Sequence, residues 1–342
     1  MTVVFFGTYN SSYPRNRHIA KILHDAGIET VAIHQRGRGI GKYIAMAYQL
    51  ARLRQYDVVF VGFPGHLSSI VARFVTRKPI YFDAFISLWD TYVDDRQAVA
   101  PSSILARWYR LIDRLSCRLS TKVIVDTPQH CDYFARSVRV PSEKIYSVIV
   151  ATDTDLFVPA PVKASINPFI VFWHGKYTPL HGVEYIVEAA RLMDDRSVAF
   201  QLLGGGTLRP HIEQKIKQYG LSNINLLPSV AYEQLPSHIQ KASLCLGVFG
   251  SSEKVNRVVP NKIYEYLGCG KIVITRESAA CREILNSADI RYVSGQDPQE
   301  LVDLIKGFRH TRENLNSARN RELSLRLQSR MRRELLAVFN LR

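Results

Sequence analysis

FIVFWHGKYTPLHGVEYIVEAARLMDDRSVAFQLLGGG, residues 169–206, decides the fold class. A run of β-branched and aromatic residues ends in a glycine. Apolar residues then recur at helical spacing to Met193, and a second apolar run ends in Gly204-Gly205-Gly206. Strand, helix and strand in that order form a crossover unit, and crossovers join parallel strands. Parallel sheets are covered on both faces, so their strands read as continuous apolar runs rather than as alternations.

Working outward, the same plan recurs on both sides. Upstream lie VVFFG (3–7), TVAIH (30–34), DVVFVG (57–62), PIYFD (79–83), KVIVD (122–126) and YSVIV (146–150), with helical stretches between them. Downstream lie INLLPSV (224–230), LCLGVFG (244–250), KIVIT (271–275) and RYVS (291–294), and an arginine-rich helix closes the chain. Residues 158–168, VPAPVKASINP, carry three prolines and no periodicity, and read as an interdomain linker. A chain of 342 residues exceeds one comfortable hydrophobic core. The predicted architecture is therefore α/β: two doubly wound, Rossmann-like domains facing across a cleft, with ligands beyond the carboxyl ends of the strands.

Composition narrows the class. The apolar share of 46% and charged share of 22% describe an ordinary globular protein. MTVVFFGTYN reads as a first core strand rather than a signal peptide, and no apolar stretch approaches the roughly 20 residues that cross a bilayer. Five scattered cysteines without a C-x-x-C pair speak against disulfide scaffolding and zinc, and suit a reducing, cytoplasmic compartment. The net charge of +15 is unevenly placed. Residues 1–165 hold 21 Lys/Arg against 13 Asp/Glu, residues 166–308 hold 15 against 14, and the last 34 hold 9 against 3. Such a distribution suits an anionic membrane surface, with a merely solvated basic face as the plain alternative. No recognised nucleic-acid motif accompanies the charge, so nucleic acid is not expected as a partner.

Several residues stand where chemistry is expected. Gly204 and Gly206 close a strand and open a helix, where backbone can approach a ligand and helix N–H groups can meet an anion. In GTYNSSYPRNRH, Arg15 opens the first helix, an unfavourable place for a cation that invites an anion; it is the candidate phosphate clamp across the cleft. Asp83 ends the fourth strand and is the candidate acceptor-orienting group, with a helix-capping role as its equal. His66, behind Gly62 and Gly65, is a weaker acceptor candidate. In LARWYRLIDRLSCRLS, Arg107, Arg110, Arg114 and Arg118 recur beside Trp108, Leu111, Ile112 and Leu115, the pattern of a basic amphipathic helix lying on an anionic bilayer. KYIAMAYQLARLR (42–54) has the same character.

Four segments then occur in a telling order: HGKYTPLHGVEYIVEAARLM, LLGGGTLRPHIE, VPNKIYEYLGCGKIVIT, and SAACREILN before GQDPQELVDLI. Together they resemble the donor domain of glycosyltransferase family four, retaining enzymes of GT-B architecture. The resemblance covers most of residues 144–308. It implies an acceptor-side domain over 1–160, a nucleotide-sugar donor domain over 165–308, and a basic C-terminal helix, 309–342, returning to the first. The family's Gly-Arg and Lys-Gly pairs become Gly175-Lys176 and His181-Gly182 here, which puts Lys176 and His181 on the donor diphosphate. Lysine lacks the bidentate fork, and histidine carries a full charge only when a bound anion raises its pKa.

Glu265 matches the second of the family's two glutamates and is expected on the nucleotide ribose; Arg257 stands where the first would be. Pro260, Asn261 and Lys262 precede that helix, placed to hold phosphate or sugar. Asp153-Thr154-Asp155 resembles the family's hinge segment, so no metal is expected there, and no cofactor besides the donor substrate. The implied activity is retaining transfer from a nucleoside-diphosphate sugar to a hydroxyl, with a glycan or lipid-linked acceptor at the inner membrane surface. Two alternatives stay open: a GT-B-like sugar-nucleotide epimerase, and a non-catalytic nucleotide-sugar-binding scaffold.

Overall fold

The computed structural model describes residues 1–35, 37, 39–160, 168–286, 289–311 and 317–341. Most of the expected linker, residues 161–167, lies outside them. The chain divides into two compact units, Met1–Val150 with Ser329–Arg342, and Ala151–Gln328. Among the described residues all five cysteines are free, and no helix is long and apolar enough to cross a membrane.

The first unit runs β1 (Thr2–Gly7), α1 (Pro14–Asp25), β2 (Glu29–His34), α2 (Gly41–Arg52), β3 (Val58–Val61), α3 (His66–Val75), β4 (Ile80–Asp83), α4 (Ile104–Leu119), β5 (Lys122–Val125), α5 (Pro128–Tyr133) and β6 (Ile145–Ser147). All six strands are parallel, in the order β2-β1-β3-β4-β5-β6. Fully buried Val4, Phe6, Val59, Val61, Phe82 and Val123 fill one face of the sheet, where Met46, Ala72 and Cys117 reach it from the helices. Ser103 and Thr127 cap α4 and α5 by accepting the N–H groups of Ala106 and His130, satisfying donors that a helix start leaves over.

Two segments depart from the sequence expectation. Asp90–Asp95 forms a π-helical turn in a stretch without a helical pattern, and the helical pattern that the sequence carries over Pro128–Ser137 changes at Phe134–Val138 into another. The last strand is also shorter than YSVIV suggests: Val148, Ile149 and Val150 are buried but extend past the ladder.

The second unit runs β7 (Phe169–Lys176), α6 (Val183–Leu192), β8 (Val198–Gly205), α7 (Arg209–Tyr219), β9 (Ile224–Leu227), α8 (Leu235–Lys241), β10 (Leu244–Leu246), α9 (Asn261–Gly268), β11 (Val273–Arg276), α10 (Ala279–Ile284), β12 (Ile290–Val293), α11 (Pro298–Thr311) and α12 (Ala318–Val338). Its strands are again all parallel, ordered β12-β11-β10-β7-β8-β9. Trp173, Leu202, Leu246 and Ile274 pack from the sheet against Ile186, Val187, Leu301 and Ile305 of α6 and α11.

The boundary between units falls earlier than the proline run suggested. Phe157 is fully buried in the second unit, and Arg321 donates to the carbonyls of Thr154, Phe157 and Gly268. The closing helix α12 belongs to both units, and from Ser329 its residues pack with the first. There Glu334 accepts the Ile149 N–H at 2.8 Å, and Phe339 stacks on Phe60 and meets Tyr81 edge-on.

Candidate functional site

In the second unit the chain winds one way from β7 through β8 to β9, and the other way from β10 through β11 to β12. Between β7 and β10 the loops leave in opposite directions, and such a switch point opens a crevice at the carboxyl ends of the strands. Trp173 ties the two strands: its indole Nε1 donates to the Gly247 carbonyl at 3.1 Å, and its ring is fully buried.

Into this crevice α9 delivers Lys262. The side chain is 4% exposed and its Nζ has no hydrogen-bond partner. The ammonium lies 4.0 Å from the centre of the Trp173 ring, a cation–π contact in a desolvated place. A Cβ on Gly175 would come within 2.9 Å of that Nζ, so glycine there, at φ 148°, leaves the ammonium its room. Burial drives the Lys262 pKa well below its usual value, opposed only by Glu265. Lys262 also sits in the first turn of α9, where the N–H groups of Asn261 and Lys262 have no intrahelical acceptor. A buried cation and a helix N-terminus thus converge on one spot, and both favour an anion.

Three neighbours share that spot. Glu265 is buried one turn along α9, its Oε2 3.1 Å from His174 Nε2 but off the line of a good hydrogen bond. Burial lowers the His174 pKa; Glu265 raises it and the Lys262 charge lowers it again. His181 directs Nδ1 at the Lys176 carbonyl, which fixes the tautomer that donates there, and its ring lies edge-on to Trp173, 5.9 Å between centres. Burial, then Lys262, hold its pKa well below the ordinary value. Both effects favour the neutral form of His181. Lys176 ends β7 with its side chain exposed. Pro260 caps α9 with extended backbone, and half-buried Asn261 opens it.

The glycine run serves the chain itself as much as any ligand. A Cβ on Gly204 would run into the Gly175 carbonyl oxygen, and one on Gly206 would lie 2.6 Å from the Tyr177 nitrogen. Of the three, only Gly205 has open space, with its nearest neighbour at 3.8 Å. Arg209, opening α7, donates to the carbonyls of Gly204 and Leu227 and to Glu213, and so fixes the turn.

In the first unit, Arg15 and Asp83 are brought together rather than left as separate site groups. Both are 0% exposed. Arg15 Nε donates to both Asp83 oxygens at 2.9 and 2.8 Å, Nη2 donates at 2.8 Å, and Nη1 donates to the Val148 carbonyl at 3.0 Å. The Phe85 ring covers the guanidinium at 4.7 Å. This corrects the expectation of a phosphate clamp and of an acceptor-orienting carboxylate: the Arg15 fork is taken up by Asp83, and Asp83 by Arg15. The sequence cue was right about a cation in want of an anion, but the anion is a carboxylate of β4.

His66 is likewise held inside the fold: it is 5% exposed, 3.1 Å from the Ile86 carbonyl and 3.4 Å from Asp113. In the second unit, Asp153 accepts the N–H groups of Asp155 and Leu156, a turn-forming role for the D-x-D stretch. Among the described residues no group of three or more His, Cys, Asp or Glu gathers as a metal site. Sequence reasoning missed Trp173 and His174. Their signal was a polar imidazole and an indole at the end of an otherwise apolar strand.

Residues 168–308 match the family described as "Glycosyl transferases group 1". Over 113 residues the chain is 29% identical to a curated protein of Escherichia coli (strain K12), "Putative colanic acid biosynthesis glycosyl transferase WcaI"; the match covers 33% of this chain and 28% of that protein. Among solved structures, sucrose-phosphate synthase from Thermosynechococcus elongatus is similar with a TM-score of 0.78 at 15% identity, covering 99% of this chain and 98% of that one. Anabaena Alr3699/HepE, solved in complex with UDP and glucose, gives 0.73 at 13% identity, covering 99% of both chains. The chain shares with these structures its fold of two Rossmann-like, parallel-sheet units.

Proposed function

We propose that the chain, whose residues 168–308 carry a glycosyl transferases group 1 domain, moves a sugar from a nucleoside-diphosphate sugar to a hydroxyl acceptor with retention of configuration. The observation that carries this reading is the buried, unpartnered Lys262 ammonium in the first turn of α9, at the strand switch point. A departing nucleoside diphosphate gains negative charge as the glycosidic bond breaks. A fixed cation that meets that charge in a dry site lowers the barrier more than it helps the ground state. Lys262 and the α9 N–H groups hold the diphosphate, His181 and Lys176 flank it, and Glu265 accepts ribose hydroxyls. The donor is held by these groups without a metal. Relatives of this fold solved with UDP support a nucleotide in this role.

The acceptor we place at an anionic membrane surface, as a lipid-linked or polysaccharide precursor. Support comes from α2, α3 and α4, neighbours along one face of the first unit. Ile44 and Tyr48, Leu67 and Phe74, and Ile104, Trp108 and Leu111 stand exposed on them. Their single acidic residue, Asp113, is buried, whereas Arg52, Arg107, Arg110 and Arg118 are exposed. An apolar ridge ringed by cations and free of exposed acids suits the interface of an anionic bilayer. The test is nucleoside-diphosphate release from a panel of nucleotide sugars, with anionic vesicles carrying polyprenyl-linked acceptor. Release that depends on acceptor and is lost in Glu265→Ala supports the reading; release unchanged in Glu265→Ala contradicts it. Interconversion of free sugar nucleotides without acceptor would mark an epimerase instead.

A further inference from the structure

The first unit gathers four arginines around a cavity that the donor-side reading does not use. A cavity of about 300 Å³ opens beyond β4, lined by Arg110 and Arg114 of α4, Arg136 and Arg139 around the π-turn after α5, and the rings of Trp89 and Tyr133. Two carboxylates also line it, and each is engaged. Asp113 accepts Ser87 Oγ at 2.7 Å, Leu88 N at 2.9 Å and Trp89 N at 3.0 Å, and Asp94 accepts Trp89 Nε1 at 3.1 Å. None of the four guanidinium groups makes an ion pair among the described residues, and the Arg114 Nε is buried without a partner. Arg110 lies over the Trp89 indole, 3.6 Å from its centre, which holds the guanidinium at the cavity.

Four like charges gathered around one concavity repel each other, and each carries a planar fork shaped for two oxygens of one anion. Phosphate and diphosphate match that geometry. The cavity's size admits a diphosphate with the first part of its ester. Exposed Leu111 stands on α4 one turn before Arg114, and exposed Trp108 one turn before Leu111, so an apolar strip leads to the charged mouth. We propose that this cavity binds the phosphate or diphosphate head of an amphiphilic acceptor. Its identity as acceptor rests on the glycosyltransferase reading, whereas the anion site does not.

The test uses the full chain carrying Lys262→Met, which silences the donor-side ammonium. Calorimetric titration with inorganic pyrophosphate is expected to show one remaining site. Its affinity should fall at least tenfold in the Arg114→Gln/Arg136→Gln double variant. Should that variant fold poorly, the exposed single change Arg136→Gln is expected to weaken pyrophosphate several-fold with an unchanged melting curve. No pyrophosphate binding in Lys262→Met, or binding indifferent to both arginine changes, overturns the site. In the second arm, neutral phosphatidylcholine vesicles carrying polyprenyl diphosphate should retain the protein better than plain ones, and free pyrophosphate should release it. Equal retention on both vesicles contradicts the acceptor assignment. Nucleoside-diphosphate binding untouched by Lys262→Met would instead sink the donor reading and leave this site standing.

Discussion

Lys262 Nζ of α9 stands 4.0 Å from the centre of the Trp173 ring of β7 and is answered by no carboxylate hydrogen bond. Proteins seldom keep a buried charge on these terms, because desolvation costs more than a ring face returns. The arrangement is understandable as stability given up for binding.

Replacing Lys262 by Met is therefore expected to stabilise the nucleotide-free protein by about 1–3 kcal/mol, since it exchanges a desolvated cation for an apolar chain of similar volume. Thermal melts should rise by a few degrees. The pH dependence checks the cause. A lysine with a lowered folded-state pKa leaves the unfolded chain binding more protons between the two pKa values, so stability climbs with pH across that window. The variant should lose that slope.

Nucleotide binding should take up protons. Lys262, His174 and His181 all have pKa values lowered in the protein alone, by burial first, and Lys262 lowers both histidines further. A diphosphate favours their charged forms and raises those values. Affinity is thus expected to strengthen as pH falls through the window between free and bound pKa. Calorimetry in two buffers of different ionisation enthalpy measures the uptake; proton release on binding would be the wrong sign.

Breaking the Arg15–Asp83 pair should cost much more than a surface change. Arg15→Ala or Asp83→Ala alone leaves a buried charge without its partner, for a loss of roughly 3–5 kcal/mol in denaturant unfolding. Arg15→Met with Asp83→Leu should recover a large part of it. A double variant no better than the singles would mean that the pair does more than balance charge.

Gly204→Ala and Gly205→Ala form a matched contrast. At 204 a Cβ collides with the Gly175 carbonyl at a φ of 135°, so alanine must displace the end of β7 beside Lys262. At 205 there is space. The first change is expected to destabilise by about 2–4 kcal/mol and to impair nucleotide binding, the second to do neither.

The architecture was legible because buried parallel strands announce themselves as unbroken apolar runs, as VAFQLLGGG and PIYFD do. Lys262 and Glu265 stand out in the sequence through the order of their motif, and α9 buries both at the same place. Arg15 was misjudged for a physical reason: its partner Asp83 is 68 positions away, and sequence shows a cation at a helix start but not which anion answers it. The π-turn at Phe134–Val138 was hidden because it continues a pattern that reads as α-helix from Pro128, and the one at Asp90–Asp95 because its acidic run reads as a loop after β4. The arginine-lined cavity could not be seen at all, since Arg110 and Arg136 look like solvated helix faces until α4 and the segment after α5 are folded side by side.

Calorimetric titration of the intact chain and of Lys262→Met with a panel of nucleoside diphosphates is the most direct measurement. At least one nucleoside diphosphate should bind the natural chain and weaken by roughly 30-fold or more in the variant, the scale expected when a buried cation no longer faces its anion. Equal affinity in both proteins would show that the diphosphate lies somewhere else.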